Sequence, residues 1–183
     1  MPRAQPSGIW NSGARAEDLV RELTGADKVE KGDARGDGRL LGHWFEVKHV
    51  GGAGGAMSQV RAYKFIPLVA YFEPRRTWYV APPNRVVYLV SRRGGQHGQN
   101  PFVCAQLTIK DLRGCRVEVE ALRQAILDAV ETGTAHPALR EAMREVARAE
   151  DELAAESVRR VREVLRHPPP GQPLMEPEQL TLI

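Results

Sequence analysis

The chain has 183 residues, 42% hydrophobic and 27% charged, enough for one domain with a real core, alone or with an appendage. No run approaches the roughly 18 apolar residues of a membrane span, and the start, MPRAQPSGIWNSGAR, lacks the apolar stretch of a signal peptide, so a cytoplasmic location is expected. The net charge of +3 is uneven: residues 1–116 carry 18 Lys+Arg against 10 Asp+Glu and the remainder 8 against 13, so the basic part suits an anionic partner such as nucleic acid.

In chain order, GARAEDLVRELTG reads as a short amphipathic helix, with Ala14, Leu19, Val20 and Leu23 as its apolar positions and Gly25 as its stop. The next segment, DKVEKGDARGDGRLLGHWFEVKHV, reads as a hairpin turning at Gly36–Asp37–Gly38, with a second strand reaching about Val50. GGAGG is a loop. MSQVRAYKFI reads as a helix of about two turns with Ser58 as a possible N-cap, ended by Pro67. LVAYFE and TWYVA read as strands joined by the turn PRR, and PNRVVYLVSRR as a short helix opened by prolines, with a strand as its alternative. GGQHGQNPF is a loop and VCAQLTI a last strand. Cys104 and Cys115 match no zinc or redox spacing and read as buried thiols in a reducing compartment. From Val119 the chain turns helical: first EALRQAILDAVETG, then a long helix from about Pro137 to Arg166. Leu139, Val146, Leu153, Val158, Val161 and Leu165 form an apolar stripe on that long helix, suited to packing on the domain or on a second subunit. HPPPGQPLMEPEQ breaks it into a tail. The order of elements argues for an α/β fold, a mixed central sheet flanked by helices.

One stretch carries candidate chemistry. In HWFEVKH, alternation along a strand sends Phe45 and Val47 into the core and puts Trp44, Glu46 and Lys48 on the other face. A glutamate there suits a hard divalent cation, and a lysine beside it suits a water or the charge building on a phosphate. Such a site needs a second carboxylate, and the preceding hairpin arm offers Asp33 and Asp37. His43 and His49 flank it, in no zinc spacing. Arg61, Lys64, Arg75, Arg76, Arg92 and Arg93, interleaved with Tyr63, Trp78 and Tyr79, form a candidate DNA-facing set, and His97 in the glycine-rich loop is a further phosphate contact to consider.

The series "GD", glycine turn, apolar strand ending "EVK", with Glu17 on a preceding helix and Gln59 following, resembles the PD-(D/E)xK nuclease superfamily over roughly residues 8–110. SGARAEDLVREL, GD, FEVK and SQVRAY together look most like Holliday-junction resolvases of the archaeal type and their phage relatives. The resemblance implies a restriction-endonuclease-like fold with Asp33 and Glu46 as metal ligands and Lys48 as the catalytic lysine. Glu17 would support the metal or its water, and Gln59 would line the site. Asp33 follows Gly32 where the superfamily name has proline, and the basic N-terminal run of many such resolvases is missing. Asp33 lies before the turn, where the family has its metal aspartate opposite the strand, so the resemblance makes it the metal ligand; Asp37, between two glycines, is taken as the turn former.

The reading that follows is a magnesium-dependent DNA endonuclease, with manganese as substitute, probing branched DNA as a homodimer in a bacterial, archaeal or phage-infected cell. Its alternatives are a restriction-type or mobile-element endonuclease on duplex DNA, and a non-cleaving DNA-binding subunit of the same fold. The implied domains are a nuclease core over 1–116, a helical extension over 117–166 packing on the core or a dimer partner, and a flexible tail over 167–183. The last five residues, Gln179 to Ile183, resemble the short motif by which bacterial replication and repair proteins bind the sliding clamp, with Ile183 where phenylalanine is usual.

Overall fold

The computed structural model describes residues 12–30 and 32–166. Helix α1 (Ser12–Thr24) is followed by strands β1 (Gly38–Leu40), β2 (His43–Val50), β3 (Ala56–Val60), β4 (Leu68–Phe72) and β5 (Thr77–Ala81). Then come α2 (Pro83–Ser91), β6 (Ala105–Thr108), β7 (Arg116–Val117), α3 (Leu122–Thr134) and α4 (Pro137–Arg166). The fold is α/β: a mixed five-stranded sheet in the order β1-β2-β4-β5-β7, with β2 and β4 parallel and the other pairs antiparallel. A separate two-stranded sheet pairs β3 with β6.

Both faces of the central sheet are covered, and the side-chain alternation of each strand divides its residues between two cores. Phe45 and Val47 of β2, Val69 of β4, and Trp78 and Val80 of β5 meet Ala16 and Val20 of α1 and Leu122 and Ile126 of α3. On the opposite face Val50, Leu68, Ala70, Tyr79 and Ala81 meet Val86, Val87 and Val90 of α2, Met57 and Val60 of β3, and Met143 of α4. The C-terminal end of α1 is tied to α3, where the Arg123 guanidinium donates to the Thr24 carbonyl. Gly25 stops α1 as expected, at φ 70° with its N–H bonded to the Arg21 carbonyl. The buried positions of that helix are Ala16 and Val20; Leu23, expected among them, is 45% exposed, and Ala14 is exposed too.

Three expectations give way. The hairpin turns at Leu41–Gly42, not at Gly36–Asp37–Gly38: Leu40 pairs His43, and the two loop residues have φ 49° and 86°, the positive pair that a two-residue hairpin of this kind needs. The glycines at 36 and 38 have another cause. A Cβ on Gly38 would stand 2.2 Å from the Phe45 ring, and one on Gly36 would stand 2.8 Å from the Phe45 carbonyl oxygen. The segment MSQVRAYKFI is not a helix capped by Ser58 but strand β3 followed by one tight turn over Ala62–Lys64. Met57 and Val60 are both buried, at a spacing of three, because a bulge lies between them, with Gln59 at φ 55°. Finally, β6 joins β3 instead of the central sheet, whose last place is taken by the two-residue β7.

One compact unit runs to Val146 and therefore takes in α3 and the first turns of α4, where Leu139 and Val146 pack on the core beside Met143. A second unit begins at Ala147; within it Leu153 and Val158 are 62% and 51% exposed. No described helix is long and apolar enough to cross a membrane. Cys104 and Cys115 are free and half-buried; the Cys104 thiol donates to Gln96 Oε1 at 3.3 Å, and burial pushes the Cys115 thiol up. Residues 179–183 lie outside the described residues.

Candidate active site

The face of β2 that carries Glu46 and Lys48 is the one Val50 shares with the core under α2 and β3, so it is not a solvated one. Glu46 is 4% exposed. Its two carboxylate oxygens are taken by two lysines: Lys48 Nζ lies 2.9 Å from Oε1 and Lys64 Nζ lies 2.9 Å from Oε2. Lys48 comes from the same strand face two residues on, and Lys64 from the tight turn before β4. The Lys64 side chain is 6% exposed and that of Lys48 18%. Burial by itself would raise the Glu46 carboxyl, but the two ammonium groups outweigh it and hold it below its ordinary value. Lys64, expected to face DNA, is instead a buried partner of the central carboxylate.

The second carboxylate of this group is Asp37. Its backbone N–H donates to the Phe45 carbonyl at 3.0 Å, and its Oδ2 accepts the Val47 N–H at 2.9 Å. The side chain thus continues the ladder between β1 and β2 past the end of β1, and this sets Asp37 opposite Glu46. Burial pushes the Asp37 carboxyl up, the Val47 N–H opposes that, and the Glu46 charge adds to it; Lys48 and Lys64 pull the other way. Asp37 also lines a small cleft of about 30 Å³ together with Glu17 and Arg21 of α1 and Asp27. Glu17 and Asp37 thus line one cleft.

Asp33, assigned above to the metal, is held by Arg35. Its Oδ1 accepts the backbone N–H of Arg35 two residues on, the turn an aspartate commonly makes, and the Arg35 guanidinium grips both oxygens at 3.0 and 2.7 Å. Those bonds hold its carboxyl down at about 2. Asp33 forms a turn with Arg35 and Asp37 lies across from Glu46, while the Lys64 ammonium is near enough to act on both aspartate carboxyls, so Asp33 stands at the border of the group. Gln59 lies on the two-stranded sheet with its backbone N–H donating to Gln96 Oε1 at 3.0 Å, and its side chain is exposed. Among the described residues no hydrogen bond joins it to Glu46 or Lys48. His49 pairs with Glu73 at 3.2 Å and lies beside Tyr71, on the face of β2 opposite to Glu46.

The surrounding basic surface also differs in its aromatic partners. Trp78 and Tyr79, expected among the arginines, are 4% and 8% exposed and belong to the two cores. The aromatics that do meet arginines include Trp44, with the Arg35 and Arg39 guanidiniums 4.4 and 5.8 Å from its ring, and Tyr88, with those of Arg85 and Arg92 at 5.5 and 5.8 Å. Arg61, Arg75, Arg76, Arg92 and Arg93 are exposed as expected; Arg93 is bonded to Asp111 at 2.5 Å. The sequence signal for Lys64 was its place in an apolar run, AYKFIP, where a free cation would be costly.

Among the described residues no three His, Cys, Asp or Glu side chains converge as a ready metal cage. Magnesium does not require one: it is commonly held by one or two carboxylates and several waters. Asp37 and Glu46 fit that habit. Burial is the chief cause of the raised Asp37 carboxyl, with the Glu46 charge adding to it, and a dication there would oppose both. No family model, curated protein or solved structure matches the chain.

Proposed function

We propose that this chain is a metal-dependent DNA endonuclease with a restriction-endonuclease-like fold, related to the PD-(D/E)xK enzymes and acting on branched DNA. The observation that carries the reading is the buried Glu46, flanked on its own strand face by Lys48 and faced by the Asp37 carboxylate. A chain built for stability alone gains little from such a group, because burying charges costs several kcal/mol per ion before pairing returns any of it.

Asp37 and Glu46 would hold magnesium or manganese, with Glu17 reaching the cleft beside Asp37. The cation, when bound, supplies a water of lowered pKa and neutralises charge on the phosphate. Lys48, the more open of the two lysines, donates to a non-bridging phosphate oxygen or steadies the attacking water. Lys64 stays on Glu46 Oε2 and fixes the direction of its carboxylate. The exposed arginines around Trp44 and Tyr88 hold the backbone without reading sequence. Gln59, exposed on the small sheet, is left as a substrate contact at most. A homodimer would suit a four-way junction, and Gln179 to Ile183 would dock on a sliding clamp; both remain proposals, tested by light scattering and by titrating a peptide of residues 172–183 against the clamp.

The deciding experiment is cleavage of labelled linear, flapped and four-way DNAs with and without magnesium. Preferential, magnesium-dependent cutting of the branched forms is expected; cutting of linear duplex alone would favour a restriction-type enzyme. A second reading has its own observation: Lys48 and Lys64 already neutralise Glu46 without a metal, as in a DNA-binding protein that does not cut. Calorimetry with manganese separates the two, since the non-cleaving protein should show no saturable binding lost in Asp37→Asn.

A further inference from the structure

Beside this site lies a second cavity, of about 150 Å³. Trp44, Phe65, Pro67, Pro83 and Val130 line it, and Arg140 and His43 bring polar groups to it. The Arg140 guanidinium is also 5.7 Å from the Phe65 ring. Two links join the cavity to the candidate active site. The Pro67 carbonyl accepts the Glu46 N–H at 2.9 Å, so the wall and the carboxylate share a hydrogen bond. Trp44 stands two residues before Glu46 on the same face of β2, about 7 Å along the strand.

Size and chemistry select the occupant. An enclosed apolar cavity of about 150 Å³ takes one benzene ring. This one is an open groove of the same volume with polar as well as apolar lining, so it suits one ring laid on its apolar wall with its edge toward the polar groups. Its walls offer flat apolar faces, its edge offers donors from Arg140, and Arg39 beside Trp44 supplies positive charge for a flanking phosphate. A base inside a duplex cannot reach such a cavity without leaving its stack.

We infer that this cavity is a subsite for one unpaired, pyrimidine-sized base next to the phosphate held at Glu46 and Lys48. The inference rests on the nuclease reading and deepens it, since it names the feature of branched DNA that the site would select: a flap offers unpaired nucleotides to the subsite directly, whereas a four-way junction, whose arms are fully paired, must open a pair at its centre to do so. Single-stranded binders gain about 1–3 kcal/mol per stacked base, which corresponds to roughly 5- to 150-fold in affinity.

The test is equilibrium binding by fluorescence anisotropy in EDTA, so that no strand is cut. The probes are a labelled oligothymidylate and a strand of the same length with abasic sites throughout. The full chain should bind the thymidylate at least fivefold more tightly. Val130→Phe, which fills the cavity, should bring that ratio to about one while leaving affinity for the abasic strand unchanged. Should Val130→Phe lose its folded circular dichroism, Val130→Leu, which narrows the cavity less, replaces it and should lower the ratio while leaving affinity for the abasic strand unchanged. Equal binding of both probes by the unaltered chain, or a ratio untouched by the folded variant, overturns the subsite and leaves the nuclease reading standing. Binding of neither probe overturns the subsite, and failure to bind four-way DNA as well removes the nucleic-acid reading with it.

Discussion

Replacing Lys64 by methionine removes one ammonium group from Glu46 and keeps most of the side-chain volume. Both partners are 6% exposed and 2.9 Å apart, so screening by water is weak. Breaking a buried pair costs about 3–5 kcal/mol when the remaining charge is stranded. Glu46 is not stranded here, because Lys48 still holds Oε1 at 2.9 Å. The loss should therefore be that of one charged hydrogen bond, about 1.5–3 kcal/mol. At about 2–4 °C per kcal/mol for a chain this size, the melting temperature should fall by about 3–12 °C. Glu46→Gln is the harsher change, since it leaves two buried ammonium groups without a carboxylate, and it belongs at about 3–5 kcal/mol. The double variant should then be more stable than Glu46→Gln alone, with a coupling energy of about 1–3 kcal/mol. Urea unfolding followed by circular dichroism gives all four stabilities. Additive losses, within about 0.5 kcal/mol, would refute the pairing and with it the reason for placing Lys64 in the site.

The two carboxylates should respond to pH with opposite sign. Glu46, held below its ordinary 4.5, contributes stability that is present above that pH and lost as pH falls through its folded value; Asp37, raised above its ordinary 3.8, imposes a penalty absent below 3.8 that grows as pH rises through its folded value. Asp37→Asn, which keeps an acceptor for the Val47 N–H, should therefore gain on the unaltered chain in unfolding free energy as pH rises from 3.8, and added magnesium should narrow that gap. In cleavage assays Asp37→Asn should lose activity by at least a hundredfold while Asp33→Asn keeps it; the reverse pattern would return the metal role to Asp33. Gly38→Ala drives a Cβ into the buried Phe45 ring and should cost about 1–3 kcal/mol by thermal unfolding, whereas Gly54→Ala meets nothing within 4 Å and should be neutral.

Much of the sheet was legible because its strands are apolar runs with clear ends. LVAYFE and TWYVA fall on β4 and β5, and Phe45 and Val47 point to the core as alternation requires. PNRVVYLVS became a helix because Pro83 opens it and Val86, Val87 and Val90 bury one face. The failures have identifiable causes. A bulge in β3 gave Met57 and Val60 a helical spacing. The two residues of β7 are too few for any pattern. Both faces of the sheet are covered, so Trp78 and Tyr79 are buried although they alternate, and no sequence rule reveals a covered second face. At the site, Glu46 and Lys48 were readable from local spacing, but Lys64 reaches Glu46 from 18 residues away. The choice between the aspartates turned on glycines that looked like a turn and in fact make room for Phe45.

The central sheet ends in very short strands on both sides, three residues in β1 and two in β7. On the β1 side Arg39 already bridges to Asp27, and the next pairing position is occupied by the Asp37 side chain instead of backbone. Little open ladder is left for another chain to extend, which protects such a sheet from edge-to-edge growth. It also constrains self-association. Two copies of this chain would find little backbone ladder to share at the edges of the central sheet, so a pair able to hold two strands of a junction is better built from helices or loops, leaving each Glu46 fixed within its own subunit.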